Sequence, residues 1–413
     1  MTRNTSLRHT EYEYATLSNG MRLVATCRPD AIAEHCGVIV MAGSRDERPG
    51  EEGLAHFVEH TLFKGTPRRS AWHVLNRMEV IGGELNAYTT KEETVVYTSF
   101  PAGHLDRAFD LISDLVVNSS FPTDEVERER GVVLEEIDSY LDTPSEAVFD
   151  DFDELVYAGS PLAHNILGSS ESVSRLTGAD CCRWLERHYV PSRMVVFYSG
   201  PLGADKVVRK AESYFGAFTR EGEPLDRRFP TVLPAFDEVK SIDSNQAHVV
   251  LGARIGGLDD SSRHVMALFA NTLGGPSMNS LLNLELRERN GWVYMTDASR
   301  TLLSDTGLLT IYFGCDKANV GKCRRRVSNI IDKIAAGFYT ERRVSSAVRQ
   351  YMGQLIMAST AAESTILSAA RSTLYEGRVT TLDEIRRELE SVTPAMMREA
   401  ASSLQSLSCL VLE

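Results

Sequence analysis

At 413 residues the chain exceeds one ordinary hydrophobic core and fits two domains. Its 43% hydrophobic and 24% charged content is that of a soluble globular protein. A net charge of −13 argues against nucleic-acid binding as the main role, and no apolar run reaches membrane-spanning length.

The N-terminal stretch Met1–His9 has no apolar segment of the signal-peptide kind, so no secretion signal is expected. The seven cysteines, at 27, 36, 181, 182, 315, 323 and 409, form no Cys-x-x-Cys pair and are odd in number. They read as reduced thiols of a cytoplasmic protein, neither a disulfide frame nor a thiolate metal site. Tyr12 to Thr26 alternates apolar and polar residues around Asn19-Gly20, which predicts a hairpin. Cys36 to Ala42 is a continuous apolar run and predicts a central strand. Gly43 to Gly50 is then a polar loop.

The next stretch is Gly53-Leu54-Ala55-His56-Phe57-Val58-Glu59-His60-Thr61-Leu62-Phe63, which contains His-x-x-Glu-His. On a helix His56 and His60 lie one turn apart on one face, with Glu59 beside them. Two imidazoles so placed can hold one metal ion, and the neighbouring carboxylate can take a proton from water activated there. The order inverts His-Glu-x-x-His and marks the inverzincin metallopeptidases. Leu54, Phe57, Val58, Leu62 and Phe63 supply the packing that anchors such a helix. Taken alone, the five residues fit a solvated helix face about as well, so a third ligand carries weight.

Lys64-Gly65-Thr66-Pro67 ends that helix, and Ser70 to Val80 predicts another with Ser70 as its N-cap. Gly82 to Thr90 and Glu93 to Phe100 follow as strands, the first of them a plain hairpin strand by periodicity. His104 to Val117, Thr123 to Leu141 and Ala147 to Leu155 predict helices. Within the second of these, Glu129 and Glu136 are seven residues apart and share one face. Glu136 can complete a His, His, Glu set with an open fourth position for water. Glu135 competes for that role on spacing alone, and Glu129 can orient a ligating histidine.

These segments resemble the pitrilysin and mitochondrial-processing-peptidase family, which includes insulin-degrading enzyme. There the His-x-x-Glu-His helix is followed about seventy-five residues on by a glutamate ligand in a segment like Glu129-Arg130-Gly131-Val132-Val133-Leu134-Glu135-Glu136. The resemblance runs from Leu17 to beyond Tyr294. It implies a zinc endopeptidase or oligopeptidase, with one Zn2+ per chain bound by His56, His60 and Glu136. It further implies Glu59 as general base and Glu129 as the residue that steadies the ligands. Asn86 and Ala87 fall where the family borders its substrate, a peptide or unfolded polypeptide added to a sheet edge.

Met194 to Ser199 predicts a strand closing the first domain, and Thr219 to Pro234, rich in Pro and Gly among charges, predicts the linker. The second half repeats the plan: strand His248 to Arg254, helix Ser262 to Leu273, Gly274-Gly275-Pro276, another helix, strands and helices. It contains no His-x-x-Glu-His. The expected fold class is α+β. Two homologous domains, 1–218 and 235–413, each carry a mostly antiparallel sheet with helices on one face, arranged as a clamshell. Leu286-Arg287-Glu288-Arg289-Asn290-Gly291-Trp292-Val293-Tyr294 matches the family's Leu-Arg-Glu-Lys-x-Gly-Leu-x-Tyr, so Arg287 and Tyr294 are implied donors to the oxyanion of the tetrahedral intermediate. The chain departs from the family at Ser280-Leu281-Leu282, for the usual Ser-Arg-Leu, and at Trp292, which bears on substrate preference. Larger members carry four such domains, so two here imply a homodimer, or a heterodimer with a related subunit, closing a chamber. The rival is a non-catalytic scaffold subunit. A purely structural metal site would need a fourth protein ligand, and no clear one is visible.

Overall fold

The structure, a computed structural model, describes residues 12–413. The segment Met1–His9 read above for a secretion signal lies outside the described residues.

In chain order the first half forms β1 (Tyr12–Thr16), β2 (Arg22–Cys27), β3 (Ala33–Val40), α1 (Leu54–Leu62), the ribbon β4 (Gly65–Thr66) and β5 (Arg69–Ser70), α2 (Ala71–Glu79), β6 (Glu84–Thr89) and β7 (Thr94–Pro101). Then come α3 (Leu105–Asn118), α4 (Thr123–Leu141), α5 (Pro144–Val156), α6 (Ser170–Val173), α7 (Gly178–His188), β8 (Met194–Gly200) and α8 (Ala204–Phe215). The second half forms β9 (Asp237–Lys240), β10 (Ala247–Gly256), α9 (Arg263–Gly274), β11 (Val293–Leu302), β12 (Thr306–Cys315), α10 (Val320–Ala335), α11 (Glu341–Ala358), α12 (Ala362–Glu376), α13 (Leu382–Glu390), α14 (Pro394–Ser403) and β13 (Ser408–Leu412).

Two sheets result. The first runs β1-β2-β8-β3-β7-β6 and is antiparallel except for the β2–β8 pair. The second runs β11-β12-β10-β13-β9 and is antiparallel except for β13–β9. The expected hairpin around Asn19-Gly20 is β1–β2. Its turn needs the left-handed φ of +86° at Gly20, and the Asn19 amide donates to the carbonyls of Phe215 and Phe218. The run Cys36 to Ala42 supplies most of β3, in the interior of its sheet.

Strands as apolar as β3 and β8 need cover on both faces. In the first sheet α3 and α8 pack against the strands. In addition Val24, Ile39, Val95, Val195 and Phe197 meet Ile366, Ala369, Ala370 and Leu374 of α12. The second sheet shows the same device through its period-two alternation. Val249 and Leu251 of β10 pack with α9, α10, α11 and α14, whereas Val250, with Leu308, Tyr312, Leu410 and Leu412, packs on Val148, Phe152 and Val156 of α5. Each sheet therefore takes one covering helix from the opposite half of the sequence.

The compact units are interleaved as a consequence. The first holds the chain up to Glu135, 165–227 and 358–379; the second holds 136–164, 228–357 and 380–413. A single break at 219–234 is what composition shows, but the irregular stretch there belongs partly to the first unit. Arg220 donates to the carbonyls of Leu185, Tyr189 and Val117, and Arg227 grips Asp46. Two local expectations change. The helix expected after Gly274-Gly275-Pro276 is π-helical over Asn283–Glu288. Ser70 stands at the N-cap of α2, yet its hydroxyl pairs with His73 Nδ1 at 2.8 Å, not with the backbone. Among the described residues no helix is long and apolar enough to cross a membrane.

Candidate metal centre

The centre begins with how α1 starts. Its N-cap is Gly53, in the left-handed region at φ +91°, and glycine has no side chain with which to cap the first amides. Glu47 supplies the acceptors from outside: its carboxylate takes the amides of Gly53 at 3.0 Å and Ala55 at 2.7 Å. A carboxylate there also complements the helix dipole. The glycine is required, because a Cβ at position 53 would sit 2.6 Å from the Leu167 carbonyl oxygen. Leu54, Phe57, Val58 and Leu62 are fully buried and fix the helix in the first unit.

This places the imidazoles of His56 and His60 with ring centroids 4.5 Å apart at 66°. His60 Nδ1 lies 3.1 Å from Glu129 Oε1, and Lys64 Nζ lies 2.6 Å from the other Glu129 oxygen. A carboxylate oxygen accepts, so Nδ1 is the donor in this pair and Nε2 is the ring nitrogen left to ligate a metal. Burial first, and the adjacent His60 second, push His56 down to about 3. His56 is therefore a neutral imidazole at neutral pH, the form that ligates metals.

Glu129 and Glu136 both lie on α4. The boundary between the two units falls between Glu135 and Glu136, but α4 runs through it unbroken. One donor atom from each of His56, His60 and Glu136 lies within 4.8 Å of the others. Among the described residues no other group of three or more His, Cys, Asp or Glu offers such a set, and Glu135 takes no part in it. Two imidazoles, the one at His56 held neutral, and one carboxylate are a donor set suited to zinc.

Glu59 sits beside this cluster and accepts a hydrogen bond from Thr89 Oγ1 at 3.3 Å. Thr89 is the last residue of β6, and β6 is an edge strand, paired on one side only by β7. Asn86 and Ala87 lie in the middle of that strand, with Asn86 exposed. Arg287 and Tyr294 belong to the second unit. Both are exposed and both stand on irregular backbone: Arg287 on the π-helical turn, Tyr294 at a register shift in β11 between Val293 and Met295. The Tyr294 hydroxyl donates to Asp316 at 3.3 Å. Leu281 and Trp292, the two departures from the family pattern, pack half-buried against the core of the second unit.

Sequence reasoning missed Glu47, Lys64, Thr89 and a buried ionic cluster of Arg45, Asp46, Glu92 and Arg227. In that cluster Arg45 meets Glu92 at 2.6 Å, and Arg227 meets Asp46 at 2.8 and 2.7 Å. One signal was available for Glu47: a helix that starts at glycine needs an acceptor from elsewhere, and acidic residues lie just upstream.

The chain combines two sheet-and-helix units with a His, His, Glu donor set carried on α1 and α4. Residues 23–170 match the family described as Insulinase (Peptidase family M16), and residues 175–351 match the Peptidase M16 inactive domain. An uncharacterized zinc protease of Mycobacterium bovis is 34% identical over 396 residues, covering 95% of this chain and 90% of that protein. The mitochondrial-processing peptidase subunit beta of Caenorhabditis elegans is 31% identical over 401 residues, covering 93% and 85%. A protease from Helicobacter pylori has the same fold, with a TM-score of 0.91 at 18% identity over 98% of this chain and all of that one. The chain belongs to peptidase family M16, the insulinase family, and matches two of its domain models.

Proposed function

We propose that this protein is a zinc-dependent endopeptidase or oligopeptidase acting on peptides or unfolded polypeptides in extended form. The observation that carries the reading is the convergence of His56, His60 and Glu136 donor atoms within 4.8 Å. It is supported by relatives named as zinc proteases. A zinc ion bound there would supply Lewis acidity, making water more acidic and polarising a carbonyl. His56, His60 and Glu136 would hold it, one ion per chain. Glu59 takes the proton from the attacking water and returns it to the leaving amine. Asn86 and Ala87, on the edge strand β6, align the peptide by backbone pairing. Arg287 and Tyr294 donate to the developing oxyanion. In this reading the sequence span 1–218 carries the metal-binding and peptide-aligning residues, 219–234 links it to the second half, and 235–413 contributes those donors, although the compact units exchange segments across these bounds. Because one chain carries both sets, a homodimer is sufficient; a heterodimer with a related subunit is the other assembly.

Glu129 has a separable task. Its hydrogen bond sets the His60 tautomer, so Glu129→Gln should weaken zinc binding by about 10–100-fold, measured by competition with a chelator.

A second reading is a non-catalytic subunit. It is favoured by the second domain's match to a model described as inactive and by a relative named as a subunit. Metal analysis and a peptide-library digest of the purified chain separate the two. The peptidase binds zinc, cuts peptides, stops when a chelator strips the metal and resumes when zinc is returned. A scaffold subunit cuts nothing by itself.

A further inference from the structure

We propose that Thr89 is a positioning residue for the Glu59 carboxylate, so that one residue registers both the substrate strand and the proton-transfer group. The proposal rests on the reading of Glu59 given above. Thr89 closes β6, the edge strand on which the peptide would pair, and its hydroxyl donates to Glu59 Oε2 at 3.3 Å. By the pleat, Leu85, Ala87 and Thr89 share one face of that strand, and α1 packs against β6. A β-branched side chain has few χ1 choices, so where the strand ends decides where the hydroxyl points.

The strand end is held from several directions. The Thr90 amide donates to the Glu93 carbonyl at 2.8 Å, and the Thr90 hydroxyl accepts from the amides of Glu92 and Glu93. The same turn is stitched to the loop that feeds α1: the Ser44 amide donates to the Thr90 carbonyl at 3.2 Å and the Arg45 amide to the Lys91 carbonyl at 2.8 Å. Arg227 closes the frame, donating to Asp46 on the loop and to the Glu92 carbonyl at 2.8 Å on the turn. Glu47, next along that loop, caps α1. Thr89 and Glu59 are thus fixed to one scaffold from opposite sides. A donor on one carboxylate oxygen sets the rotation of the group, which a proton acceptor must present correctly to water.

The test uses the full chain with Thr89→Val, which keeps shape and loses the hydroxyl, Thr89→Ser, which keeps the hydroxyl, and Glu59→Gln. Zinc content, kcat and KM are measured on a fluorogenic peptide chosen from the wild-type digest. Thr89→Val should keep its zinc and its KM while kcat falls about tenfold or more, the scale of one hydrogen bond to an ionised group. Thr89→Ser should restore most of the rate. Thr89→Ala is the second hydroxyl-free variant and carries the test should valine prevent folding. Wild-type kcat in the hydroxyl-free variant overturns the proposal. So does an equal loss in Thr89→Ser, a loss that tracks zinc, or a change confined to KM. If the wild type itself cuts no peptide, or Glu59→Gln cuts as fast as wild type, the functional reading has failed. An active wild type with a dead Glu59→Gln and an unaffected Thr89→Val sinks the Thr89 role alone.

Discussion

Glu59→Gln should abolish peptide hydrolysis while the protein keeps its zinc. The amide matches the carboxylate in size and can still accept the Thr89 hydroxyl bond through its oxygen, so the local packing has no reason to change. It cannot take up a proton at neutral pH. General acid–base transfer contributes about 10²–10⁴-fold, and here one group serves both the attack and the departure of the amine, so the loss belongs at the upper end of that range. His56, His60 and Glu136 do not depend on Glu59 to meet one another, so metal content per chain should equal that of wild type. The two readouts must be taken on one preparation: zinc retained with turnover gone supports the base, whereas zinc retained with turnover intact assigns proton transfer elsewhere.

What could be read from the sequence follows from distance along the chain. His56, Glu59 and His60 lie within five residues, where helix periodicity alone decides which side chains share a face. Glu129 and Glu136 are related by the same rule over two turns. The structure puts Glu129 on His60 and Glu136 among the donor atoms. Spacing could not separate Glu136 from Glu135, because a helix position facing another helix is chosen by tertiary packing; the resemblance, not periodicity, singled out Glu136. The hairpin at Asn19-Gly20 and the strand at Glu84–Thr89 were visible through local turn chemistry and alternation, which showed a strand but not its place at the sheet edge. Arg227 lay beyond reach for the opposite reason. It is 181 residues from Asp46, and a charged residue in a Pro-rich stretch reads as solvated until a buried acid is found beside it. The exchange of α5 and α12 was hidden in the same way. An amphipathic helix announces that it needs an apolar surface, and nothing in its own sequence says which of two similar sheets provides it.

The sharpest discrimination therefore lies between the neighbours on α4. Glu136→Ala should strip the centre of its carboxylate ligand and leave two imidazoles. Zinc bound by protein side chains in small structural sites is worth roughly 10–16 kcal/mol over four ligands, so one ligand accounts for about 3 kcal/mol, more than a hundredfold in affinity. The variant should be isolated nearly free of zinc, with no activity at ordinary zinc concentrations. Fold should survive, because α4 is anchored through the buried Val126, Val133 and Ile137 and through Glu129, none of which the substitution touches. Glu135→Ala, one residue earlier and 100° round the helix, should keep both zinc and turnover. Equal losses in the two variants would mean that the carboxylates act through the charge of the helix surface and not as a ligand. A loss in Glu135→Ala alone would reverse the assignment. The pair is informative because the substitutions are chemically identical: composition, net charge and helix propensity change by the same amount, and only the direction in which the side chain points differs.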